Sequence, residues 1–156
     1  MSIFSGYTDA QVQAFTASQI AGLPTAQIVD LGSDLARLTS GQIAALTTAQ
    51  IKVLKVSDLS AKNIIGLTSQ QIGVLSDAQV SALGVSQLAA VTSTQISAFK
   101  PTQISKFSAS QVQALTTGAL AGLSASQISE LTTAQAAALK PEQLSKLTNA
   151  QIAALE

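Results

Sequence analysis

Cysteine and histidine are both absent from the 156 residues. Without cysteine there is no disulfide framework and no thiolate nucleophile. Without histidine there is no imidazole base and no histidine metal ligand. Tryptophan is also absent and aromatics make up only 3%. The one basic cluster, Lys52, Lys55 and Lys62, therefore has few rings beside it and reads as a solvated face, not a nucleic-acid site. Charged residues are 10%, where an ordinary globular domain has about 25%. They balance to zero and are scattered, so no field gathers nucleic acid or anionic lipid. Mean hydropathy is positive, yet no apolar run approaches the roughly 18 residues that suit a membrane span. The first residues, MSIFSGYTDAQ, lack a basic stretch followed by an apolar one, so no N-terminal signal peptide is expected. Neither GxGxxG, nor a P-loop, nor the calcium-binding Gly-Gly-x-Gly-x-Asp phrase occurs. The acids Asp9, Asp30, Asp34, Asp58, Asp77, Glu130, Glu142 and Glu156 are too sparse to nominate a general acid and base. The many serines and threonines have no basic partner that would make a nucleophile. No catalytic, cofactor or metal site is expected.

What remains is Ala, Ser, Thr, Gln, Leu and Ile, arranged in one eight-residue phrase. Thr39–Leu54 shows it twice, as TSGQIAAL and TTAQIKVL. Position one is Thr or Ser, position four Gln, position five Ile and position eight Leu. The units start at Thr8, Thr16, Pro24, Gly32, Thr39, Thr47, Lys55, Ser60, Thr68, Ser76, Gly84, Thr92, Lys100, Ser108, Thr116, Ser124, Thr132, Lys140 and Thr148. They are numbered 1 to 19 below. At this length one domain is expected: a single octad solenoid over residues 8–156, with residues 1–7 as an N-terminal cap that covers the first repeat with Phe4 and Tyr7. The last octad closes one residue before the end without a distinct closing segment, as in a piece of a longer array or a designed sequence.

The anchors at positions five and eight are three apart, which puts them on one side of a helix but on opposite faces of a strand. The expected core is therefore Ile43, Leu46, Ile51, Leu54, Ile72, Leu75, Ile96, Phe99, Ile104, Phe107, Ile128 and Leu131. Thr or Ser followed three residues later by Gln is the capping-box arrangement: the hydroxyl accepts the N–H at position four, and the Gln reaches back to the cap's own N–H. Thr39/Gln42, Thr47/Gln50, Ser76/Gln79, Thr92/Gln95, Ser108/Gln111 and Ser124/Gln127 all match. Each octad thus carries its own helix start.

The octads do not merge into one long helix. Eight residues advance a helix by about 800°, so the Ile/Leu stripe drifts by about 80° per unit and never forms a seam. Pro101 and Pro141 sit at position two, the first helical residue, where proline is tolerated. Threonine pairs such as Thr47-Thr48 and Thr132-Thr133 recur at the junctions, where a continuous helix favours other residues. Helices this short do not persist alone. The expectation is an all-α solenoid of very short helices, one per octad, coiled so that anchors of several units share a core. Small residues at position seven, such as Ala45, Ala98, Gly22 and Gly122, let neighbours approach. The number of octads per turn stays open. SASQ at Ser108 and Ser124 suggests a two-octad period, whereas KPTQISKF and KPEQLSKL lie five octads apart.

Two units are short. Gly32–Leu38 has lost one residue, and Lys55–Leu59 reads as stopping after position five. Asp34, Asp58 and Asn63 stand in for Gln nearby. Repeat decay absorbed as a bulge explains this region better than a ligand notch. Gly118-Ala119 and Ala136 read as drift. If Gln only caps, Gln111→Ala costs about 1 kcal/mol; a much larger loss would place Gln in a buried ladder between coils.

LTTAQI at Leu46–Ile51, the stretch Ala114–Leu139 and LTNAQIAAL at Leu147–Leu155 resemble the Leu-Thr-x-x-Gln-Ile-x-x octapeptide arrays of very large secreted or surface bacterial proteins of the haem-utilisation and adhesion exoprotein type. The resemblance covers residues 8–155. It implies export to the medium or cell surface and a structural or adhesive role, and it brings no catalytic or haem-binding residues. The leading expectation is a spacer, stalk or scaffold that needs no cofactor and no obligatory partner beyond other domains of a longer chain or a surface ligand. The alternative is a solenoid whose groove binds protein, peptide or glycan, with positions two, three and six lining it. A third, a threonine ladder that binds ice, needs a flat regular face that the two short units disturb.

Overall fold

A computed structural model describes residues 1–155; Glu156 lies outside the described residues. The chain is all-α. Sixteen α-helices and three 3-10 helices, none longer than seven residues, follow one another with no strand among the described residues.

Unit 5 shows how one octad folds. Thr39 is extended at φ −74° and ψ 160°, and its hydroxyl accepts the Gln42 N–H. Ser40–Ala45 is the helix. The Ile43 N–H donates to the Thr39 carbonyl at 3.0 Å, and the Leu46 N–H donates to the Ile43 carbonyl at 3.1 Å. One α-type bond opens the unit and one tighter bond closes it. Leu46 then returns to extended backbone at φ −60° and ψ 135°, so Leu and the next Thr make the corner between successive helices. Pro101 and Pro141 occupy the first helical position, where no N–H is missed.

The units coil with positions five and eight inward. Every position-five anchor from Val12 to Ile128 is at most 2% exposed. All expected core residues are buried except Leu131, which is only half-buried. Helices three units apart lie side by side, as Ser40–Ala45 lies beside Ile64–Gly66, and Ser93–Ser97 beside Thr117–Ala121. A full turn therefore takes between three and four units. Neither the two-octad nor the five-octad spacing in the sequence marks it.

Contact between coils runs through position seven. A Cβ on Gly66 would collide with the Ser40 backbone carbonyl, and one on Gly122 would sit 2.7 Å from the carbonyl oxygen of Ser93. In both cases position seven of one unit rests on position two of the unit three before it. The inward anchors form one buried cluster, and a cavity of about 10 Å³ among Ile64, Leu75, Val91 and Phe99 is about the size of one water.

The short units depart from the sequence expectation. In Lys55–Leu59 the buried anchors are Val56 and Leu59, three apart, and the Leu59 N–H bonds to the Val56 carbonyl at 3.1 Å as in a full unit. This unit has lost its capping half and kept its packing half, because the core tolerates a missing cap better than a missing anchor. Gly32–Leu38 likewise keeps Leu35 and Leu38 inside. Gly32, at φ 50° and ψ −127°, lets the helix Thr25–Leu31 run directly into the 3-10 turn Gly32–Arg37.

Met1–Tyr7 repeats the unit's geometry as well as covering the first coil. Phe4 is fully buried and packs edge-on against Phe15 with ring centres 5.2 Å apart. The Tyr7 N–H bonds to the Phe4 carbonyl at 3.0 Å, the same closing bond three residues apart. The segment acts as a unit 0 whose buried anchor is Phe4, while Tyr7 stays exposed and packs edge-on against Phe15.

The glycines give a test. Gly66→Ala and Gly122→Ala should each lower stability by about 2 kcal/mol, because the new methyl meets backbone that cannot step aside. A methyl placed on Gly118 would meet nothing within 4 Å, and this residue sits inside the helix Thr117–Ala121. Gly118→Ala should therefore raise stability by about 0.5–1 kcal/mol. Urea denaturation of the three variants reads both signs.

Candidate functional site: an amide ladder between coils

Each short helix leaves carbonyls at its C-terminal end that nothing within the unit can satisfy. Position four supplies the partner. The Gln42 Nε2 donates to the Val12 and Phe15 carbonyls at 2.8 and 2.9 Å. The Gln71 Nε2 donates to those of Ile43 and Leu46 at 2.9 and 2.7 Å. The Gln127 Nε2 donates to those of Ile96 and Phe99 at 3.0 and 2.7 Å. In each case the Gln reaches the position-five and position-eight carbonyls of the unit four before its own. The position-eight carbonyl lies 28 residues back for Gln95, Gln103, Gln111, Gln127, Gln135, Gln143 and Gln151 alike.

The same side chain also caps. Gln42 Oε1 accepts the Thr39 N–H at 2.9 Å, and Gln127 Oε1 accepts the Ser124 N–H at 2.8 Å. A primary amide has one carbonyl oxygen and two N–H donors, and here all are used: one inward to its own cap and two across to the neighbouring coil. Gln50, Gln95 and Gln111 do the same between Thr47, Thr92 and Ser108 and the coils before them. Gln79 does so while half-buried. The buried polar residues are eleven glutamines and Asn63, with no charged group among them, so the polar part of the core is made of amides alone.

The Gln therefore does more than cap, and a capping role alone is an incomplete account of it. One sequence signal points there. A capping box accepts Glu or Gln at this position, yet fifteen of nineteen units carry Gln and none carries Glu. A carboxylate caps equally well but has no N–H to donate across the coils. Units 11, 13 and 18 make the same point: Gly84, Lys100 and Lys140 have no hydroxyl, yet their N–H groups still bond to Gln87, Gln103 and Gln143 at 2.7, 2.7 and 2.9 Å.

The exceptions are informative. Asn63 stands in the ladder and donates to the Leu35 and Leu38 carbonyls at 2.6 and 3.4 Å. It is one methylene too short to reach back as well, and its Oδ1 is buried without a partner, a defect that costs about 1–3 kcal/mol. Asp34 and Asp58 do not replace Gln, because carboxylates cannot donate to carbonyls. Asp58 turns to Lys55 at 3.4 Å. Asp34 turns to Arg37, whose Nη1 donates to it at 2.9 Å while Nε donates to Asp9 at 2.6 Å and Nη2 to the Tyr7 carbonyl at 2.5 Å. Arg37 thus makes, with a guanidinium, the rung between unit 4 and unit 0. The Ser2 hydroxyl first, and then Arg37, hold the Asp34 carboxyl below its ordinary pKa. Ala119 offers no amide to unit 11, and nothing in the structure explains that substitution.

Outward positions carry little chemistry. In unit 12, Thr92, Ser93, Thr94 and Ser97 are exposed while Gln95, Ile96 and Phe99 are buried. Lys52, Lys55 and Lys62 are all exposed. Among the described residues no three acidic side chains converge to hold a metal ion, and no helix is long and apolar enough to cross a membrane. Comparison with protein-family models, with curated proteins and with solved structures gives no match.

The ladder can be weighed by substitution. Gln111→Ala strands the Leu83 carbonyl and the Ser108 N–H and should cost about 3 kcal/mol. Gln19→Ala, exposed in the first coil and bonded only to its own cap, should cost about 1 kcal/mol. Equal losses in thermal or urea unfolding would remove the ladder from the energetics. A second measurement concerns pH. A depressed Asp34 pKa contributes stability above the unfolded value of about 4 that is lost as pH falls through the folded one. Tyr7 is the sole tyrosine and there is no tryptophan, so intrinsic fluorescence reports on this segment. It should stay flat from about pH 5 to 7, where no histidine titrates, change below about pH 4, and lie nearer the acid form at pH 7 in Asp34→Asn.

Proposed function

We propose that the chain is a structural repeat module, a spacer, stalk or scaffold of a larger exported bacterial surface protein, without catalytic activity. The observation that carries this is the ladder itself. The most elaborate hydrogen-bonding group in the chain uses its donors to join coil to coil and its acceptor to close its own cap, and presents nothing to a ligand. The anchors form one continuous buried cluster, and a representative outer face is small hydroxyl side chains. Rigidity comes from bonds that recur every unit. Export, a bacterial source and adhesion rest on the octapeptide resemblance alone.

A binding solenoid for protein, peptide or glycan is the second reading. It calls for a groove lined by positions two, three and six. The exposed apolar residues at such positions, Val29, Ile65 and Val85, belong to units 3, 8 and 11 and are spread along the array.

Small-angle scattering on arrays of different length tests the spacer. Packed helices sit about 8–10 Å apart, so inserting four octads, slightly more than one turn, should lengthen the particle by roughly 10 Å at constant cross-section. A maximum dimension that fails to grow with repeat number would remove the spacer reading.

A further inference from the structure

Inside the array the ladder is weakest between Leu54 and Thr68. Lys55–Leu59 starts its turn with neither a hydroxyl cap nor an amide cap. It has no position-four residue, so the Ile28 and Leu31 carbonyls of unit 3 receive no amide among the described residues. In the next unit Asn63 makes half a rung. Its Nδ2 lies 2.6 and 3.4 Å from the Leu35 and Leu38 carbonyls, and its buried Oδ1 does not reach the Ser60 N–H. No α-helix forms between Val53 and Ser69, the longest such stretch among the described residues. Toward the following coil the same two units are fully bonded. Gln87 Nε2 donates to Val56 and Leu59 at 2.7 and 2.6 Å, and Gln95 Nε2 to Ile64 and Leu67 at 3.1 and 2.9 Å. On the side of the preceding coil, burial of Val56, Leu59, Ile64 and Leu67 does most of the holding.

The basic residues are placed in a telling way. Lys100 and Lys140 precede Pro101 and Pro141, and a bond whose nitrogen belongs to proline has no N–H and a fixed ring, which proteases that cut after lysine reject. Lys106 pairs with Asp77 at 3.7 Å, and its unit is tied on both sides by Gln103 and Gln135. Arg37 is held by Asp9, Asp34 and the Tyr7 carbonyl. Lys52 lies in a complete unit, closed by Gln50 and tied by Gln79. Lys55 and Lys62 are exposed and both lie in the weak stretch. The bond after Lys62 leads to Asn63, which is 1% exposed, so a protease reaches it only when the segment opens.

We infer that Lys55–Leu67 opens as one local unit while the coils on both sides stay folded, and that it is a cleavage site for a protease that cuts after lysine. Hydrolysis breaks the Lys62–Asn63 peptide bond; water gives OH to the Lys62 carbonyl carbon and H to the Asn63 nitrogen. The new carboxylate and ammonium form where Asn63 was buried, so the segment does not reclose. Gln71 and Gln79 still join units 9 and 10 to units 5 and 6, so the nicked array holds together. This does not depend on the chain being a spacer.

Limited trypsin digestion of the folded chain tests it, with Lys146→Gln throughout so that the cuts compared are all inside the array. The first cuts should fall after Lys62 and Lys55, about tenfold faster than after Arg37, Lys52 or Lys106. Helical circular dichroism should persist and the two pieces should elute together. Asn63→Gln restores the missing reach and should slow the cut after Lys62 about tenfold. Gln103→Asn gives unit 13 the same short amide and should open a new cut after Lys106. First cuts after Arg37, Lys52 or Lys106 in the parent overturn the inference. So does loss of circular dichroism with the first cut, which would mean that the chain opens whole, and so does a folded Asn63→Gln cut as fast as the parent. Where Asn63→Gln does not fold, Gln103→Asn decides, and a folded Gln103→Asn that stays uncut after Lys106 overturns it.

Discussion

The structure depends on the fact that one primary amide can satisfy three backbone groups in two different coils. Helices of four to seven residues leave more of their backbone unbonded than bonded, so an array of them is a problem of orphan donors and acceptors before it is a problem of packing. Thr and Ser take one donor at the start of each helix. The glutamine takes the other and then supplies the N–H groups that the preceding coil's carbonyls lack. Hydrophobic burial drives the coil together, but it has no direction, and Ile and Leu alone would not specify which units meet. The amide sets the register at four units.

Irregularities fall where the ladder allows them. Unit 4 has lost a residue, and the result is that Leu31 is helical, at φ −61° and ψ −39°, whereas Leu46, Leu54 and Leu115 at the same place in their units are extended. With Leu31 helical its carbonyl is turned differently from those of the extended leucines, and it receives no amide among the described residues. Four units on, at Lys55–Leu59, the amide that would have met it is missing too. The two shortened units are a matched pair, one withdrawing the acceptor and the other the donor. They are close in sequence because four units is about one turn of the coil.

Much of the fold is legible from the octad. The anchor spacing of three, the hydroxyl–Gln pair and the placement of Pro101 and Pro141 lead to short helices with their own starts, and those are local facts. Everything set between coils is hidden. The turn of three to four units depends on how Ile, Leu and small position-seven residues nest, and no periodicity along the chain encodes it. The second role of Gln is written only in the exclusion of Glu. Aligning Lys55–Leu59 from its first residue misplaces its anchors; aligned on the apolar pair Val56 and Leu59, the unit keeps the part that the core requires. Arg37 is invisible as a ladder member because its rung uses a different chemistry, and its partners Tyr7 and Asp9 lie 30 and 28 residues earlier.

The array is a helix of helices, and it inherits the end problem of the α-helix on a larger scale. An α-helix has unsatisfied N–H groups at its start and unsatisfied carbonyls at its end, and this gives it polarity. Here the amides of each turn donate backward, about 28 residues, to the carbonyls of the turn before, always in the same sense. The coil too therefore has a donor end and an acceptor end. The first is partly closed by Met1–Tyr7, held by Arg37 and by Phe4 in the core. The second shows bare carbonyls and bare anchors together. In an ordinary globular domain exposed leucines and unpaired carbonyls are separate defects with separate causes. In this chain they coincide because both needs are met by the following coil, packing by the unit three later and hydrogen bonding by the unit four later.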